Sequence, residues 1–147
     1  MPLPFSTAEK LRIQFRKELR RGTVKNAELD PMVPSSVASS ASSDEKFIVR
    51  VDRTKGGRYW FSDRRVLFED GAVVREVVRY EVVRSAHWMF KDLDYRMRSD
   101  LAGVPNLKSQ YFDRLEIDIG SALCVLDNLG QSYVPTLNFL WWILREK

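Results

Sequence analysis

The sequence is poor in the residues that build metal sites and nucleophilic centres. In 147 residues it holds one cysteine, Cys124, and one histidine, His87. A lone cysteine excludes an internal disulfide. With a single histidine beside it, a cysteine-based zinc site is excluded as well. The lack of cysteine pairs fits a reducing compartment. Cys124 sits in the apolar run 122–126, which predicts a buried, inert thiol. Long apolar stretches are also missing. The longest, Leu137 to Leu144, is broken by Asn138 and falls well short of the roughly 20 residues that a membrane helix needs. Met1 to Phe5 is too short for the apolar region of a signal peptide. The expectation is a soluble, cytoplasmic protein with no transmembrane segment.

Catalytic constellations are equally scarce. Nucleophile–base pairs need a base, and His87 lies between Ala86 and Trp88 in an expected strand. Glu116 and Asp118 share one strand face, about 7 Å apart by strand rise. Such a pair suits acid–base work or a metal, but a solvated strand face is the simpler reading. Glu69-Asp70 precedes Gly71 and reads as turn chemistry. No Gly-rich phosphate loop occurs. No catalytic residue, metal or cofactor is assigned, and an enzyme is not expected.

What the chain does have is one domain's worth of ordinary globular composition, 44% apolar and 30% charged, with 12% aromatic residues. The net charge of +4 is uneven. Seven basic residues and one acid fall between Lys10 and Lys25. The remainder is therefore slightly acidic, and any affinity for phosphate-bearing surfaces belongs to that segment.

Ser6 and Glu9 have capping-box spacing, and Gly22 is a natural helix stop, so a helix is predicted from Ser6 to about Arg21. Ala8, Leu11, Phe15 and Leu19 form its narrow apolar stripe, and Lys10, Arg12, Arg16, Lys17, Arg20 and Arg21 cover much of the rest. Residues 1–30 therefore read as a basic amphipathic helix. Residues 31–46, with Pro31, Pro34 and a serine-rich run, read as a flexible linker that tethers it loosely.

From Phe47 the texture is that of strands: Phe47 to Asp52, a Lys55-Gly56-Gly57 hairpin turn, then Arg58 to Phe61 and Arg65 to Phe68. Residues 72–84 are evenly balanced. Their valines recur at a helical period, yet their β-branched content favours a strand. Ser85 to Phe90 reads as a strand. Lys91 to Ser109 is a long irregular connection with room for one helical turn near Tyr95 to Leu101. Leu115 to Ile119 alternates cleanly, and Ala122 to Asp127 is its neighbour. A final, very apolar helix runs from about Val134 to Arg145, with Pro135 in its first turn.

This order, with the segment Phe61-Ser62-Asp63-Arg64-Arg65 and the later Tyr80-Glu81-Val82-Val83-Arg84-Ser85, resembles the bacterial pleckstrin-homology-like (PH-like) domains. The resemblance covers residues 47–147. It implies a mainly β fold: a bent antiparallel β-barrel of about seven strands capped by the C-terminal helix, here preceded by the N-terminal amphipathic helix. It also tips the balanced segment towards a strand ending near Arg79 and then a turn. The independent strand count reaches about six, so one strand is missing or hidden in Lys91 to Ser109. Pleckstrin-homology domains that bind phosphoinositides place basic residues around the first hairpin. Arg53, Lys55, Arg58 and Arg50 flank that turn here, but Trp60 occupies the last position of the eukaryotic lipid-binding pattern. The reading is a non-catalytic binding or scaffold module with a protein partner or a second copy of itself. The alternative is peripheral binding to an anionic membrane or nucleic acid through the basic helix and first hairpin, nucleic acid being the less favoured.

Overall fold

The computed structural model describes residues 6–88 and 114–146. The first helix, α1 (Thr7–Arg21), starts and stops where the sequence places it. The Ser6 hydroxyl accepts the Glu9 N–H at 3.0 Å, and Gly22 closes the helix at φ 75°. Leu11 and Phe15 of its apolar stripe are fully buried, and the Phe15 ring lies 5.8 Å from that of Phe61. The helix is therefore not loosely tethered. It forms part of the main core, because an isolated helix of this length is marginal and gains most of its stability by burying its apolar face.

A short strand, β1 (Ala27–Leu29), follows and pairs antiparallel with β2 (Phe47–Asp52). β2 continues into β3 (Arg58–Ser62), β4 (Arg65–Asp70) and β5 (Val73–Arg79), in the order β1-β2-β3-β4-β5. The balanced segment thus resolves as a strand that ends at Arg79, followed by a 3-10 turn at Tyr80–Val82. A second antiparallel sheet follows in the order β6 (Ser85–Trp88), β7 (Leu115–Asp118) and β8 (Leu123–Leu126). His87 lies on β6, with Glu116 opposite in register. Glu116 is buried, so that face of β7 is not the wet one expected.

The last helix, α3 (Tyr133–Glu146), supplies Leu137, Phe139, Leu140, Trp142 and Ile143 to the core. The outcome is mixed rather than mainly β: two antiparallel sheets of five and three strands, with an N-terminal and a C-terminal helix packed into the same core. No closed barrel forms among the described residues, because no ladder joins the two sheets. The turn expected near Tyr95 to Leu101 and the strand sought between Lys91 and Ser109 lie outside the described residues.

Residues 31–46 also differ from expectation. Ser35–Ala38 forms one helical turn, α2, which seats Val37 on Trp60 and Leu67 in a small second core. Glu45, its side chain fully covered, holds Arg65 through two contacts of 3.0 Å. Arg64 pairs with Asp44 at 2.6 Å. Serine-rich composition alone predicts mobility, but Trp60 gives this segment an apolar surface to cover.

Both motifs that carry the resemblance meet at the β3–β4 turn. The Ser62 hydroxyl accepts the N–H groups of Arg64 and Arg65, each at 3.0 Å. The buried Tyr80 hydroxyl reaches the Ser62 carbonyl at 2.8 Å. Their residue types are accounted for by turn chemistry and by satisfying a buried phenol.

Candidate functional site

The nine basic residues singled out in the sequence do not converge into one free cationic surface. Arg12 donates from Nη2 to Asp30 at 2.6 Å and from Nε to both its oxygens at 3.2 Å. That guanidinium holds the Asp30 carboxyl below its ordinary value. Arg21 reaches Glu18 at 3.5 Å, and Arg58 reaches Asp52 at 3.2 Å. Arg50, at the hairpin flank, is shared between Glu28 and Asp52. Lys10 lies 5.8 Å from the centre of the Trp142 ring. Arg16, Lys17, Arg20 and Lys55 are exposed and form no salt bridge among the described residues.

Arg53 is different. Its backbone N–H closes the hairpin on the Gly57 carbonyl at 3.1 Å. Its side chain folds back, donating to the Gly56 carbonyl at 2.6 Å and to Asp127 at 2.8 Å. The guanidinium lies 5.7 Å from the Tyr59 ring centre and 5.0 Å from that of Phe68. Gly57 is required here. It stands at φ 78°, and a Cβ on it would come within 2.9 Å of the Phe68 ring.

Tyr59 and Asp127 lock the arrangement. The Tyr59 hydroxyl donates to Asp127 Oδ1 at 2.8 Å and accepts the Asp127 backbone N–H at 3.0 Å. Burial, joined by the adjacent carboxylate, pushes the Tyr59 phenol up to about 12. For Asp127, burial acts upward, but the Tyr59 and Arg53 hydrogen bonds outweigh it and the carboxyl is lowered.

Around this lock lies a cleft of about 390 Å³ between the two sheets, bordered by Arg53, Tyr59, Phe68, Arg75, Leu123 and Val125. Arg75, on β5, sits 5.1 Å from the Phe68 ring centre and makes no salt bridge among the described residues. Two guanidinium groups therefore flank one aromatic ring, and among the described residues only Arg53 faces a carboxylate. The Cys124 thiol borders the same cleft, half-buried rather than buried, and burial pushes its pKa up, disfavouring the thiolate. Leu123 and Val125 are exposed, as is Val73 at the start of β5.

Of the residues selected from the sequence, only Arg53 belongs to this cleft. Arg75, Asp127, Tyr59 and Phe68 were not selected. Arg75 carried a weak signal: with Arg79 it is one of two cations inside the valine-rich segment 73–83. Among the described residues, no group of three or more His, Cys, Asp and Glu could hold a metal ion. No described helix is long and apolar enough to cross a membrane. Compared with known proteins, the chain matches no family model, no curated protein and no solved structure.

Proposed function

We propose that this chain is a non-catalytic, PH-like interaction module that engages a polypeptide, either a protein partner or a second copy of itself. Its support in topology is a four-stranded meander, β2 to β5, then a three-stranded one, β6 to β8, and a closing helix. The observation that carries the function is the cleft side of the molecule. There, exposed Leu123 and Val125 on β8 accompany Arg75 and a partly engaged Arg53. Apolar side chains beside aromatic and arginine groups are the composition of protein interfaces.

A peripheral role at an anionic membrane or on nucleic acid has less support. Four of the nine selected cations already face carboxylates, and α1 spends its apolar stripe on the core, leaving little to insert. A cytoplasmic setting belongs to the same proposal and rests on the lack of cysteine pairs. A photo-reactive amino acid installed at position 125, and separately at 17, tests the reading in the source cells. Adducts with protein are expected at 125 and not at 17. Strong lipid adducts at 17, or sedimentation of the pure protein with anionic but not neutral vesicles, overturn it.

A further inference from the structure

Among the described residues, β8 is an edge strand, hydrogen-bonded to β7 alone. In an antiparallel ladder, alternate residues turn both backbone groups towards the partner, and the others turn both away. Ile119 donates to the Ala122 carbonyl, and the register sets Cys124 opposite Ile117 and Leu126 opposite Leu115. By that alternation, Ala122, Cys124 and Leu126 face β7. Leu123 and Val125 therefore direct their N–H and C=O groups outward, and none of these groups has a partner among the described residues. The same two residues have exposed side chains, 57% and 37%. An edge of this kind, without a charge, proline or bulge on it, is a template for another strand.

Charge selects the occupant. The cleft beside this edge carries Arg53 and Arg75 against the single carboxylate of Asp127. Arg75 has no anionic partner among the described residues. Arg53 has five N–H donors, of which two are engaged, and its buried Nε has no acceptor among the described residues. Resting on the interaction-module reading above, we infer that β8 is extended by a strand from an acidic polypeptide. Backbone groups of that segment pair with Leu123 and Val125. Its apolar side chains cover theirs, and its carboxylates meet Arg75 and the free donors of Arg53.

The probe is an octapeptide alternating glutamate with valine or threonine, titrated into the full chain and followed by amide chemical shifts. Saturable binding is expected, with shifts concentrated at Leu123 and Val125 and affinity falling as salt rises. Arg75→Glu should weaken it roughly tenfold or more. Val125→Pro removes one outward N–H and no ladder bond. It should abolish binding while circular dichroism stays native. Several results overturn the inference: no saturation at millimolar peptide, equal binding of the lysine-for-glutamate peptide, or equal displacement by inorganic phosphate. So does a concentration-dependent dimer that Val125→Pro disperses, which would make a second copy the occupant. Protein adducts at position 125 together with failure of the octapeptide would retain the module and discard the acidic strand.

Discussion

Arg65 and Arg53 are covered almost equally, with 12% and 14% of their side chains exposed, yet their surroundings differ in kind. Arg65 gives its Nε and Nη2 to Glu45, donates again from Nη2 to the Ser40 carbonyl at 2.7 Å, and gives Nη1 to Glu76 at 3.1 Å. Each of its nitrogens is engaged, and two carboxylates balance its charge. Arg53 has one carboxylate, one carbonyl, two aromatic neighbours and a buried Nε left over. The first arrangement is closed, a clasp that holds residues 40–45 to the sheet. The second is held in place but has donors to spare. A buried cation with spare donors is costly unless something completes it, so the contrast separates a structural arginine from one suited to recognition.

The comparison can be broken at several points. Glu45→Ala has the largest expected effect, about 3–5 kcal/mol of unfolding free energy, because it leaves Arg65 buried beside a single carboxylate. Urea denaturation measures it, and octapeptide binding should be unchanged in the variant. Asp127→Ala comes next, at about 1–3 kcal/mol. Asp127 is 37% exposed, so solvent reclaims part of the loss. This variant strips Arg53 of its carboxylate and should strengthen anion binding.

A third test uses pH. Glu45 is raised by burial but lowered overall by its bonds from Arg65, Ser62 and the Ser42 backbone, and Asp127 is lowered as well. Carboxyls depressed in the folded state stabilise it fully above their ordinary values of 4.5 and 3.8. That contribution is lost as pH falls through the folded values. Tyr59 acts at the other end. Its phenol is raised from 10.0 to about 12, so the folded state keeps its proton longer and stability falls as pH rises between those values. Melting across pH should therefore drop at both ends. Tyr59→Phe should make the alkaline limb shallower, the raised Tyr80 and Tyr133 phenols keeping part of it, and Glu45→Ala should do the same to the acidic limb.

The smallest expected change in stability is at Arg75→Gln, within about 0.5 kcal/mol, because the side chain is exposed and makes no salt bridge among the described residues. Its effect should appear in peptide affinity instead. A substantial loss of stability would mean that Arg75 is structural, like Arg65.

Local signals were readable wherever the physics is local. Ser6, Glu9 and Gly22 mark the ends of α1 because capping joins residues three or four apart. Gly56 and Gly57 mark the hairpin because few other residues take positive φ. The valine run from 73 to 83 was balanced because its two periodicities compete, and pairing with β4 decided it. The serine-rich segment was misjudged for a related reason. What orders it is Trp60 beneath Val37, and Arg65, which is 20 positions from Glu45. The cleft was harder still to read. Its lock joins Arg53 to Asp127 across 74 positions and Tyr59 to Asp127 across 68.

The amino-acid sequence by itself determined the order of the described strands from Phe47 onward and the closing helix, the two helix limits at Ser6 and Gly22, the first hairpin, and the absence of cysteine pairs. Those follow from propensity, capping and composition, which act within a few residues. Only the tertiary structure decided that α1 belongs to the core, that residues 35–45 are fastened to the sheet, and that the two sheets stay unjoined beside a cleft holding Arg53 and Arg75. Those outcomes depend on which apolar surface is left to cover and which carboxylate lies within reach of which guanidinium, quantities that exist only once distant segments have packed.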